Sequence, residues 1–187
     1  MVSSLEPLSK LADVVVTEKL DGENTTLYRD YLHARSIAYH PHPSRDWVKR
    51  LQAHIGPDIP ENFRICGENL FAKHTIFYKS LPTYFFAFAI FQDDLCLSWD
   101  ETVEWSQLLG LTTVPLLYRG TWDEAKIKSC WRQISVFGAD QEGYVVRNAN
   151  AFELLDFQQN VAKYVRAQHV QTSQHWLTEP LTPNQLA

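Results

Sequence analysis

Apolar and polar positions along this chain fall mostly into short runs of period two, broken by a few runs of helical period. Val14–Thr17, Thr25–His33, Phe63–Gly67, Tyr84–Phe91, Val114–Tyr118, Gly143–Arg147 and Val161–Val165 read as strands, rich in β-branched and aromatic residues. Three helices carry start signals. Ser44 precedes Trp47, Val48, Leu51 and Ile55, which share one helical face. Ser98 and Glu101 form a capping-box pattern before Val103, Trp105, Leu108 and Leu109, with Gly110 as a stop. Thr121 and Glu124 repeat that pattern before Ala125, Ile127, Trp131 and Ile134. Strands outnumber helices without alternating strictly with them, which predicts an α+β fold with largely antiparallel sheets. No internal repeat or low-complexity block interrupts the pattern.

A length of 187 residues suits one domain with a good core. No apolar run is long enough to span a bilayer, and the N-terminus lacks the basic start and apolar stretch of a signal peptide. Cys66, Cys96 and Cys130 are odd in number and lack metal-type spacing, as buried thiols of a reducing compartment would. The cytoplasm is the location these features predict. A formal charge of −5 argues mildly against non-specific coating of nucleic acid, though not against a local basic track. Residues 178–187, polar and with two prolines, are expected to form a loose tail.

Candidate chemistry starts at Thr17-Glu18-Lys19-Leu20-Asp21-Gly22-Glu23-Asn24. A lysine between an apolar strand and an Asp-Gly turn can leave the sheet and face a pocket lined by backbone. An ordinary lysine is uncharged in only about one molecule in several thousand at neutral pH, so a nucleophilic Lys19 must be tuned by burial, cations or metal. Alone, Lys-x-Asp-Gly equally suits an exposed hairpin. Three later segments change the balance: Cys66-Gly67-Glu68-Asn69, Glu142-Gly143-Tyr144-Val145-Val146-Arg147 and Lys163-Tyr164-Val165-Arg166.

In order and rough spacing these four segments resemble the motifs of the covalent nucleotidyltransferases, the superfamily of ATP-dependent ligases and capping enzymes. Asn24, where DNA ligases and capping enzymes typically carry Arg, resembles the RNA ligases. The resemblance runs from Val14 to about Arg166. It implies one nucleotidyltransferase domain, with a core of about residues 13–170: two largely antiparallel sheets with flanking helices and a nucleotide groove between them. The stretch after Lys163 is too short for the OB domain that DNA ligases and capping enzymes usually need, which again favours RNA ligase.

The activity implied is ATP-dependent joining of RNA 3′-hydroxyl and 5′-phosphate ends through lysyl-AMP. Lys19 would be the nucleophile. Glu142 and Lys163 complete the implied catalytic set, with Lys163 reaching the α-phosphate. Glu18, Asn24, Arg35, Glu68 and Phe88 would join Lys19, Glu142 and Lys163 in binding the nucleotide. Phe88, which shares a strand face with Phe86, is the implied base-stacking ring, although Ala89 stands where an acidic residue is usual. Glu68 and Glu142 are the implied ligands of Mg²⁺ or Mn²⁺, directly or through water. Arg45, Lys73, His74 and Arg166 are candidates for the RNA path, Arg166 in a secondary place because relatives carry Lys-x-Lys where this chain has Lys163-Tyr164-Val165-Arg166. His40 and His42, in a proline-rich loop, and His169, His175 and Trp176 are weaker candidates for RNA contact. Two other readings stay open: a DNA-sealing or guanylyl-transferring enzyme, and a non-catalytic RNA-binding protein of the same fold.

Overall fold

Three consecutive buried valines require a strand covered on both faces, and the first strand is so covered. The computed structural model describes residues 6–34, 42–167 and 180–187. In chain order the strands are β1 (Val14–Lys19), β2 (Glu23–Leu27), β3 (Leu32–Ala34), β4 (Phe63–Asn69), β5 (Phe85–Gln92), β6 (Leu95–Cys96), β7 (Thr112–Thr113), β8 (Leu116–Gly120), β9 (Gly143–Asn148), β10 (Phe152–Glu153) and β11 (Val161–Val165). The helices are α1 (Glu6–Ser9), α2 (Asp46–Ile55), α3 (Trp99–Leu108), α4 (Glu124–Ser129) and α5 (Phe157–Asn160).

One sheet has the order β11-β9-β1-β8, and the larger has β10-β6-β5-β4-β2-β3, with β7 added beside β5. Every pairing is antiparallel except β5 with β7. One cluster joins Val15 and Trp99 to Phe86, Tyr78 and Leu81, with contributions from both sheets. A second packs α2 through Val48 and Ile55 against Leu27, Ile65 and Phe85 of the larger sheet. A third packs α4 through Ile127 against Val14 and Val16. Val15 therefore faces one layer while its two neighbours face another. Each such fully buried side chain contributes about 1.5–3 kcal/mol relative to exposure.

The expected elements appear, with three departures. Thr25–His33 is a hairpin rather than one strand: Tyr28 N–H donates to the Tyr31 carbonyl at 2.8 Å, closing a turn through Arg29-Asp30. The helix expected after Thr121 is short and capped instead by Asp123, whose carboxylate accepts the Lys126 amide at 3.1 Å. Its chain turns away before Ile134, and Gln133 adopts a positive φ of 66°. By contrast, α3 carries the full Ser98–Glu101 capping box.

The third departure is the C-terminal tail. Within residues 180–187, Asn184 is buried. Its Nδ2 donates to Leu70 O at 2.8 Å, and its Oδ1 accepts Tyr78 N–H at 2.9 Å. Lys73, Leu81 and Ala187 add backbone bonds between this segment and residues 73–81. Polar composition misleads here because the asparagine satisfies backbone groups that no strand pairs.

Candidate active site

Register places the site. In the β1–β9 pairing Lys19 stands opposite Gly143, so Glu142 lies just beyond the end of the ladder, beside the lysine. Lys19 Nζ is 2.5 Å from Glu142 Oε1. The lysine side chain is 24 % exposed and that of Glu142 6 %, so the pair faces a recess rather than bulk solvent. Gly143 is required where it is, because a Cβ there would sit 1.9 Å from Tyr164 O of β11.

Cross-strand partners share a sheet face. Thr17, Val145 and Lys163 form one such row across the smaller sheet, one step from the row of Lys19, Gly143 and Val165. Lys163 is exposed on that face. On the larger sheet Asn24 stands opposite Glu68, and Glu68 opposite Phe86. Asn24 is exposed and Glu68 half-buried. Burial pushes the Glu68 carboxyl up to about 8; the Lys19 charge opposes this, and Glu142 and Asp21 add to it. Such mutual influence shows that Lys19, Glu68, Glu142 and Asp21 form one electrostatic cluster.

The two phenylalanines separate cleanly. Phe86 is fully buried and touches Phe137, with ring centroids 5.2 Å apart. Phe88 falls where β5 bulges against β4, between the pairs Cys66↔Ala89 and Gly67↔Ala87, and stays half-buried. A bulge re-aims the side chain it carries.

Asp21 does more than make a turn. Its Oδ2 accepts Thr75 N–H at 2.8 Å and Ile76 N–H at 2.7 Å, and its own amide donates to the Tyr78 hydroxyl at 3.1 Å. Burial, then the nearby carboxylates of Asp21, Glu18 and Glu142, hold the Tyr78 hydroxyl well above its ordinary pKa. Tyr78 is thus a buried post among these carboxylates, which sequence reasoning missed. Gly22 permits the crossing of β2 over Asn69, since a Cβ would lie 2.6 Å from that carbonyl.

Glu18 is buried and turns from Lys19 to the loop before β9. Its Oε2 accepts Val136 N–H at 3.2 Å, its amide is held by Pro115 O at 2.8 Å, and its Oε1 is buried without a hydrogen-bond partner among the described residues. Burial raises its pKa, against the hydrogen bond from Val136.

One RNA-path candidate is corrected. Arg45 is buried and grips Glu23 through both Nε, at 2.9 Å, and Nη2, so its fork is committed inside the protein. Arg166 donates through Nη1 to the exposed Asp140 at 2.9 Å, and its backbone amide donates to Glu142 O at 3.0 Å. Lys73 is exposed and His74 half-buried, both in the segment clamped by Asp21 and Asn184. His42 caps the turn before α2, accepting Ser44 N–H at 3.3 Å. Arg35, His40, His169, His175 and Trp176 lie outside the described residues.

Among the described residues no three His, Cys, Asp or Glu side chains form a ready-made metal cage. Glu68 and Glu142 nevertheless suit a hard divalent ion that retains waters: both offer carboxylate oxygens, and they lie close enough for the Glu142 charge to raise the Glu68 carboxyl.

A family model described as RNA ligase matches residues 12–165. The chain belongs to the RNA ligase family. Among solved structures, a Naegleria gruberi RNA ligase is similar with TM-score 0.59 and 19% identity, covering 81% of this chain and 52% of that one. An archaeal ATP-dependent RNA ligase gives 0.55 and 18%, covering 88% and 45%. A putative ATP-dependent DNA ligase from Aquifex aeolicus gives 0.54 and 23%, covering 88% and 47%. Comparison with curated proteins finds no match. The chain spans about half the length of the solved structures it matches. These likenesses fix the architecture as the nucleotidyltransferase fold of ligases. No helix among the described residues is long and apolar enough to cross a membrane.

Proposed function

We propose that this RNA ligase family member is an ATP-dependent RNA ligase, which joins a 3′-hydroxyl to a 5′-phosphate through lysyl-AMP. The observation that carries this reading is the recessed Lys19 amine held at 2.5 Å by Glu142, beside a Glu68 carboxyl raised to about 8. A surface lysine in a hairpin would have neither.

Lys19 Nζ, once it has lost its extra proton, attacks the α-phosphorus of ATP. The new P–N bond displaces pyrophosphate. Glu142 orients the amine along the groove, and Lys163, on the same sheet face, offsets charge on the transferring phosphate. AMP then passes to the RNA 5′-phosphate, freeing the amine, and leaves when the 3′-hydroxyl attacks that end. Asn24 offers an amide to the ribose, and Phe88 a ring edge or face to the base. Glu18 Oε1, buried without a hydrogen-bond partner among the described residues, is the kind of acceptor that an exocyclic amine satisfies. A Naegleria gruberi RNA ligase 19% identical to this chain was solved with ATP and Mn. Glu68 and Glu142 would hold such a cation here, and it would supply positive charge to stabilise the phosphate oxygens.

Labelled ATP with Mg²⁺ or Mn²⁺ tests the reading. Covalent label on the wild type, its loss in Lys19→Ala and its reversal by pyrophosphate are expected. RNA binding without label would leave a non-catalytic RNA-binding protein of this fold. Label from GTP in place of ATP, or sealing of DNA but not RNA ends, would select the other nucleotidyltransferases.

A further inference from the structure

Tyr28, Tyr31, His33 and Arg64 share a sheet face with Asn24 and Glu68, yet none has a part in the nucleotide chemistry above. Thr26 is paired with Cys66 on one side and His33 on the other, and Asn24 with Glu68. Strand alternation then puts Tyr28 and Arg64 on that same face, two residues further along. Leu27 and Leu32, one step out of phase, pack into the core with α2.

The hairpin brings the two tyrosine rings together, with centroids 4.3 Å apart and planes 9° from parallel. His33 tilts against Tyr28 at 5.6 Å, and its Nε2 lies 3.3 Å from the Tyr28 hydroxyl. The Arg64 guanidinium lies 4.3 Å over the Phe91 ring. Tyr31 is 55 % exposed. His33 is exposed as well, while Tyr28 and Arg64 are half-buried.

A cross-strand aromatic pair can simply hold a hairpin. That role explains Tyr28, which is covered, better than Tyr31, whose ring leaves most of its surface in water. From Glu68 to Arg64 is four residues of strand, about 13 Å. An exposed ring, an imidazole and a guanidinium at that distance from the reaction centre are what holds an unpaired nucleic-acid strand: bases stack on rings while cations meet the backbone. A duplex end offers no free base face along its length, so the occupant is single-stranded.

We propose that Tyr31, backed by Tyr28 and flanked by His33 and Arg64, is a stacking platform for an unpaired stretch of the RNA substrate. The proposal rests on the RNA reading of the groove. Arg64 also donates to Asp93 O at 2.5 Å, and Asp30 lies in the turn itself. The net positive charge of the platform is therefore small, and stacking dominates. Its contribution to affinity should change little with salt, unlike a phosphate contact.

The test uses the full chain, with a fluorescent 5′-phosphorylated single-stranded RNA and self-adenylylation measured in parallel. Tyr31→Ala and Tyr31→Leu are expected to bind the RNA about tenfold more weakly at both low and high salt. Tyr31→Trp should match or exceed wild type, and all three should take up AMP normally. Tyr31→Leu keeps the apolar area without the π face, so wild-type RNA binding by that variant would overturn the platform. So would a failure of wild type to bind RNA. If wild type forms lysyl-AMP and the variants bind RNA as it does, the platform fails and the ligase reading stands. If RNA binding depends on Tyr31 but no lysyl-AMP forms, the platform stands and the enzymatic reading fails.

Discussion

Glu68→Gln keeps the shape of the side chain and removes its ionisation, which isolates the electrostatic state of the groove. In the folded protein burial lifts this carboxyl from 4.5 to about 8. An acid raised by folding binds its proton more tightly in the native state than in the unfolded chain. The stability it contributes is complete below about pH 4.5 and is lost as pH rises through about 8. Above that, the wild type carries a desolvated anion that glutamine lacks. Full conversion of the displacement gives about 5 kcal/mol. The groove is open to water at Asn24 and Lys163, and screening reduces the figure to about 1–2 kcal/mol. In a chain of this size that is about 2–8 °C in the unfolding midpoint. Thermal unfolding of both proteins in chelator, at pH 5 and pH 9, should show the difference moving by that amount in favour of Glu68→Gln at the higher pH. Adding Mg²⁺ at pH 9 should narrow it by stabilising the wild type. A difference independent of pH would show that Lys19 already neutralises Glu68, and the raised, desolvated carboxyl would have to be abandoned.

Arg45→Ala leaves Glu23 buried without its guanidinium and should cost about 3–5 kcal/mol in urea unfolding; Arg45→Met with Glu23→Leu should recover most of it, whereas an RNA-contacting Arg45 would lower RNA affinity without that loss. Asn184→Ala strips partners from the Tyr78 amide and the Leu70 carbonyl, so about 2–4 kcal/mol should be lost. Hydrogen exchange should then speed up at residues 70–82; unchanged exchange there would show that the tail is not docked. Gly143→Ala forces a methyl to within 1.9 Å of Tyr164 O and should part β9 from β11, displacing Lys163. Its mark is loss of AMP transfer together with a lower unfolding midpoint, and a fully active variant would place Lys163 outside the reaction.

What could be read from the residues is what the chemistry imposes on local backbone. Lys19 had to end a strand, and Gly22 had to follow because a side chain would strike Asn69 O at 2.6 Å; both leave a compact signature. Glu142 was legible for the same reason, beside a glycine that closes against Tyr164. The helix starting at Ser98 was legible because its cap is contained within four residues. The Thr25–His33 hairpin was not, since Arg29-Asp30 carries no glycine or asparagine to announce a turn. Long-range partners left no local trace either. Asp21 grips amides 54 and 55 residues away, Arg45 reaches back 22 residues to Glu23, and Asn184 serves Tyr78 across 106. Each of those residue types is ordinary where it stands, and only the fold gives it a partner. Lys19 and its turn are thus the readable part of the candidate site, while the groups that hold its surroundings rigid become visible only once the sheets are assembled.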